Sequence, residues 1–216
     1  MLSGSWARYA PLSGLVFAVL VVVAIIVGGF DSVSTDDSTQ EVIDFWSDND
    51  GRQIASAIIG ALAMIPFLWF LGVLRSTLRL AEGGTGRLSA TAYAGGIVIV
   101  GFSLVNSALQ FAVADSVGDV PPVVTQSMSV LYNDFFLGFP VGFITLLIAT
   151  ALVLLRTRAL PAWLGWFALV LGIAGFLGPI GFFAFLVFLV WAAIVSVLLY
   201  QQGEPTRTPP PTPGTV

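Results

Sequence analysis

Six stretches of mostly apolar residues alternate with short polar segments along this chain, at about residues 10–30, 54–74, 90–114, 131–155, 162–178 and 180–200. A bilayer's hydrocarbon core of about 30 Å needs about 20 such residues in a helix. Irregular backbone facing lipid would leave amides without partners, so each stretch predicts a transmembrane helix. The fifth is the shortest and turns into the sixth through Gly178-Pro179. The first is longer than the apolar part of a secretory signal and is followed by no A-x-A-like site, so a retained anchor is expected.

The polar segments then orient the six. Arg8, Arg75, Arg79, Arg87, Arg156, Arg158 and Arg207 fall on one side of a six-span arrangement, and Arg52 alone falls on the other. Arginine-rich loops stay cytoplasmic, which predicts both termini inside. The opposite side carries Asp31, Asp36, Asp37, Glu41, Asp44, Asp48, Asp50, Asp115, Asp119 and Asp134. Aromatic belts agree, with Trp6, Tyr9, Tyr93, Trp163, Trp166 and Tyr200 inside and Trp46 and Tyr132 outside. Composition fits the same class: 57% hydrophobic and 9% charged residues, and a mean hydropathy of +0.97. Soluble domains are about 25% charged.

Between the first two spans, Ser38 and Glu41 have capping-box spacing and precede Val42, Ile43, Phe45 and Trp46. They predict a short helix on the outer surface, anchored by Phe45 and Trp46. Asp48-Asn49-Asp50-Gly51 superficially resembles the start of a calcium loop. Aligning Gly51 with that loop's invariant glycine puts Trp46 first and Ala57 where the bidentate glutamate belongs, so the match fails. The inner loop holds Glu82-Gly83-Gly84 and Gly86-Arg87 but lacks the lysine and spacing of a phosphate loop. Its arginines are expected to meet anionic headgroups. Residues 203–216, with Pro209-Pro210-Pro211 and Pro213, predict a disordered cytoplasmic tail after a single domain over 1–202.

Polar residues at membrane depth are functional candidates by default. Asn106 lies about 24 Å above Ala90, and Gln110 one turn further out on the same face. Asp134 lies about 33 Å from Arg156, near the level at which Arg52 opens the second span. These four form a candidate outer-leaflet cluster with two readings. Either Asn106 and Gln110 tie helices together at about 0.6–2 kcal/mol each while Arg52 neutralises Asp134, or the cluster lines an outward-facing pocket for a small polar ligand or lipid headgroup. The deeper half of the bilayer carries no acidic or basic residue, which speaks against ion-coupled transport. Pro66 and Pro140 are expected to kink their helices. They do not occupy corresponding spans of two inverted halves, so packing is the expected cause. Gly138 and Gly142, Ser56 and Gly60, and Gly165, Ala168, Gly172 and Gly175 mark faces where helices approach closely, within the bundle.

Enzyme chemistry is limited by what is missing. The chain has no Cys and no His, hence no thiolate nucleophile and no histidine base or zinc-protease motif. No G-x-S-x-G occurs, and on the expected cytoplasmic side only Glu82 and Glu204 are acidic. No catalytic residue, cofactor or metal is expected.

Phe70-Leu71-Gly72-Val73-Leu74-Arg75, Ala81-Glu82-Gly83-Gly84, Gly86-Arg87-Leu88 and Leu160-Pro161-Ala162-Trp163-Leu164-Gly165-Trp166, with Arg52 at the head of span two, together resemble a family of uncharacterised six-helix membrane proteins of high-GC actinobacteria, a domain of unknown function. The likeness runs from about Asp31 to Tyr200. It implies a plasma-membrane location and supplies no activity, ligand or catalytic residue. The expectation is therefore an all-α, six-transmembrane-helix bundle with both ends inside and a short outer interfacial helix. It would act as an accessory or envelope-associated component with a membrane or envelope protein partner and no nucleic acid. Carriage of a small polar or lipid-like solute through the outer cluster is the alternative.

Overall fold

The computed structural model describes residues 8–135, 138–176 and 179–202, with the backbone alone for Pro179, Ile180 and Phe182. The described chain is helical throughout, without a strand. A 3-10 turn, Ala10–Leu12, leads into α1 (Ser13–Gly28). Then follow α2 (Thr39–Glu82), α3 (Arg87–Ser116), α4 (Pro122–Asp134), α5 (Gly138–Thr157), α6 (Ala162–Ala174) and α7 (Pro179–Gln202). Five runs are long and apolar enough to cross a membrane: Ala10–Gly28, Thr39–Glu82, Arg87–Ser116, Pro122–Thr157 and Phe183–Gln202. The molecule is thus built as a membrane-spanning protein.

The helices close into a ring. α1 packs on α2, α2 on α3, α3 on α5, α5 on α6, α6 on α7, and α7 returns to α1, while α4 lies against α2 and α3. Aromatic rings fill the centre. Phe17 of α1 stacks on Phe67 of α2 at 4.3 Å, and Phe188 of α7 meets Phe67 at 6.3 Å, Phe143 of α5 at 5.3 Å and Trp191 at 5.8 Å. All five are buried, and rings at these separations leave no room for a water column. Outward, Val19, Ile26, Ile65, Trp69, Val170 and Val190 are exposed. Such apolar surface suits lipid and not water.

Three expectations about the elements change. The outer interfacial helix is not a separate piece: Ser38 caps a helix that continues without a break through span two for 44 residues, about 66 Å. Asp48-Asn49-Asp50-Gly51 are poor helix formers, yet they are helical because Val42, Trp46 and Gln53 continue one buried stripe through them. Trp46 accordingly packs inside the protein at 1% exposure instead of anchoring in headgroups. Span four, expected over 131–155, is described as two helices, and the join at 136–137 lies outside the described residues. α4 ends where Phe135 leaves helical geometry (φ −77°, ψ 47°) and stacks on Phe102 of α3 at 5.1 Å. Span five, expected over 162–178, ends as a helix at Ala174 after 13 residues. That is about 20 Å, too short to cross a bilayer as a straight helix. Gly178 lies outside the described residues, as do Trp6, Arg207 and the proline-rich tail.

Pro66 sits inside the uninterrupted α2. Pro140 lies in the first turn of α5 as described, where a missing N–H costs little. The tightest crossing joins α3 and α5. A methyl group on Gly95 would lie 2.7 Å from the Gly142 carbonyl oxygen, and one on Gly142 would lie 2.7 Å from that of Gly95. Gly165 and Gly172 bring α6 onto Leu155 and Ile148 of α5 in the same way. These small-residue faces meet partners within the chain.

Candidate functional site

The end of the bundle remote from the Glu82–Arg87 turn is organised around the last carbonyls of α1. A helix ends with carbonyls that no further turn satisfies, at the negative pole of its dipole. α2 supplies the donors. Ser56 donates its hydroxyl to the Ala24 oxygen at 2.9 Å, Gln53 donates its Nε2 to the Gly28 oxygen at 3.0 Å, and Arg52 donates Nε to the Val27 oxygen at 3.2 Å. Arg52 reaches the Gly28 oxygen at 3.4 Å through Nη2 and Asn49 Oδ1 at 3.0 Å through Nη1. Gln110 of α3 completes the layer by donating its Nε2 to Gln53 Oε1 at 2.7 Å. Gly29 turns the chain away at φ 86°, and the Arg52 guanidinium fills the space a side chain there would need.

The four candidate residues do not come together as one cluster. Arg52 and Gln110 join the same layer, but through Gln53 and not through each other. All the guanidinium bonds of Arg52 go to Val27, Gly28 and Asn49, and none to Asp134. Asp134 is exposed at the end of α4. Asn106 is half-buried and makes no hydrogen bond among the described residues. Among those residues no group of three or more acidic side chains gathers in a way that would hold a metal ion.

Above this layer stands a second, smaller core made of Val33, Val42, Trp46, Val113 and Ala114, flanked by Phe45, Met128 and Tyr132. It forms because α2 extends beyond its apolar stretch and α4 packs along α2 and α3. Trp46 donates its indole N–H to Ser129 at 3.0 Å and meets Tyr132 edge-on at 5.7 Å. Thr39 donates to Gln126 at 2.7 Å, and Asn133 donates to the Val33 carbonyl at 2.9 Å, which fixes the loop before α2. The opposite face of the same α2 segment exposes Glu41, Asp44 and Asp48, spaced i, i+3, i+7 on one side of the helix. Hydrogen bonds from the Ser38 hydroxyl and Ser38 N–H hold the Glu41 carboxyl below its ordinary range.

At the other end Glu82 caps a helix, a role the sequence reading did not give it. Its carboxylate accepts from the N–H groups of Ser89 and Leu88, both at 2.9 Å, and so caps α3 from the end of α2. Those two bonds, Ser89 first, hold its pKa below the ordinary glutamate value. Gly83, Gly84 and Gly86 all take positive φ and make the tight turn, a conformation that side chains resist.

Gln53, Ser56 and Ser129 are the residues sequence reasoning missed as polar partners. Gln53 and Gln110 carried a signal, since each stands on the buried stripe of its helix, but their pairing is non-local. Comparison with models of known protein families, with curated proteins and with solved structures yields no match.

Proposed function

We propose that this is a non-enzymatic, multi-pass plasma-membrane protein of the accessory or envelope-associated kind, whose outer helical head meets a protein partner. The observation that carries this reading is the head itself. α2 runs fifteen residues past the apolar part of its span, from Thr39 to Gln53, and that overhang has its own buried core against α4 and α3. A solute carrier has no need of such a structure, and the aromatic centre of the ring opposes a central path. The exposed Glu41, Asp44 and Asp48 give the head an acidic face suited to a basic partner surface. In this reading the chain makes six passes, with α6 and the residues after it as the fifth. The arginine-rich end faces the cytoplasm, and the chain belongs with the high-GC actinobacterial membrane proteins it resembles.

A photo-crosslinking residue placed at Asp44 or Asp48 in cells tests the proposal. It should give a discrete protein adduct that the same probe at lipid-facing Ile65 does not give. Adducts to lipid alone from Asp44 would refute it. A reporter fused after Gln202 should read as cytoplasmic, and an external signal there would overturn the orientation. Asn106 supports the second reading, a binder of a small polar or lipid-like solute, because its carboxamide is half-exposed at bilayer depth without a protein partner. In that case Asn106→Leu would abolish solute movement and leave the crosslink unaffected.

A further inference from the structure

The outward face of α2 near the arginine-rich end carries a groove that the docking head does not use. It is a shallow, open depression of about 450 Å³ lined by Ala10, Leu68, Trp69, Gly72, Val73 and Ser76. Gly72 is its floor: a methyl group built there would have nothing within 4 Å. This glycine is therefore not needed for a helix crossing, and its missing side chain creates the groove. Trp69 forms one wall and is 61% exposed.

Polarity changes along the groove in a definite order. Trp69, Gly72, Ser76 and Arg79 follow at i, i+3, i+7 and i+10, one continuous stripe of the helix about 15 Å long. The stripe begins at apolar depth, passes a hydroxyl and ends at an exposed guanidinium. The stem of Arg79 packs by Gly86, 3.2 Å from the position a Cβ would take there. Glu82, the nearest carboxylate in sequence, is occupied by the Leu88 and Ser89 amides. Arg75 is held over the Tyr93 ring at 4.9 Å, and Arg8 over Tyr200 at 5.9 Å. Positive charge therefore lines this end without a competing anion on the groove's own face. An acyl chain along Trp69 and Gly72, glycerol oxygens at Ser76 and a phosphate at Arg79 match that order. The apolar groove on α6, by Trp163, Trp166 and Phe167, has no such gradient.

We propose that this groove is a binding site for one anionic phospholipid of the leaflet at the arginine-rich end. The inference needs only that the helices lie in a bilayer, whichever side that end faces. Native mass spectrometry of the full chain, released from nanodiscs of mixed phosphatidylglycerol and phosphatidylcholine, tests it. One phosphatidylglycerol should be retained in preference to phosphatidylcholine. Arg79→Gln should reduce that preference about fivefold, the loss of one arginine–phosphate attraction. Gly72→Leu, whose Cβ would meet nothing within 4 Å, places a side chain in the groove and should reduce retention of both lipids. Quenching of Trp69 by brominated phosphatidylglycerol, read as the difference from Trp69→Phe, should follow the same order. Equal retention of the two lipids, or full retention in Gly72→Leu, would overturn the proposal. So would retention that appears only after residues 2–7 are deleted, because the groove would then belong to the chain's own start.

Discussion

Replacing Gly142 by alanine adds one methyl group at the point where α3 and α5 come closest. Its Cβ would lie 2.7 Å from the Gly95 oxygen and 2.9 Å from the Ile99 nitrogen. Both are backbone atoms of a helix and cannot rotate aside, so the two helices must separate. That loosens the contacts of Ile99, Leu146 and Phe143, all buried at this crossing. Overpacking of this kind costs about 1–3 kcal/mol. For a chain of this size, about 2–4 °C of melting temperature corresponds to each kcal/mol, so the midpoint in detergent should fall by about 2–12 °C. Gly101→Ala on the partner helix α3 is the control, since its Cβ would meet nothing within 4 Å. There the higher helix propensity of alanine should raise the midpoint slightly, by up to about 1 kcal/mol. Gly95→Ala should resemble Gly142→Ala, and the double variant should cost less than the sum, because both separate the same pair of helices. A Gly142→Ala midpoint at or above that of the unaltered chain, with Gly101→Ala below it, would refute the crossing.

Other consequences follow from the polar contacts. Gln110→Leu strands the Gln53 oxygen in a buried position and should cost about 1–2 kcal/mol in thermal unfolding. Gln53→Leu with Gln110→Leu should recover part of that loss, and strict additivity would argue against a direct bond. Ser129→Ala leaves the Trp46 indole N–H without its acceptor and should destabilise the head by about 1–2 kcal/mol; unchanged Trp46 emission and an unchanged midpoint would contradict the contact. The depressed pKa of Glu82 means that its cap stabilises the fold fully at pH well above the ordinary glutamate value of about 4.3. The contribution is lost as pH falls through the folded value. The midpoint difference between the unaltered chain and Glu82→Gln should therefore shrink on acidification, and a difference independent of pH would rule the cap out.

What the sequence shows about this fold divides along a physical line. Depth along a helix axis is set locally, at a fixed rise per residue, so the apolar stretches, the Ser38–Glu41 capping box and the level of Gln110 close to that of Arg52 could all be read directly. Direction around the axis depends on which helix packs beside which, and no local pattern encodes that. Arg52 illustrates the difference. Its height near the outer end was legible, and an aspartate of similar expected height invited an ion pair. The structure turns its guanidinium to the carbonyls of α1, because that helix ends beside it with acceptors unsatisfied. The departure of Phe135 from helical geometry was equally hidden: no proline or glycine lies between Leu131 and Phe135, and its ring stacks on Phe102, a residue 33 positions earlier. The 44-residue α2 is the opposite case, because its signal was present and outvoted. Val42, Trp46 and Gln53 keep one helical register across Asp48-Asn49-Asp50-Gly51, and a buried stripe stabilises more than four poor helix formers cost. That continuity has a mechanical consequence. A load applied to the head at Asp44 passes into the membrane along one unbroken helix, tied to α1 by Arg52, Gln53 and Ser56. A break between a separate interfacial helix and span two, as the sequence reading expected, would have decoupled the two.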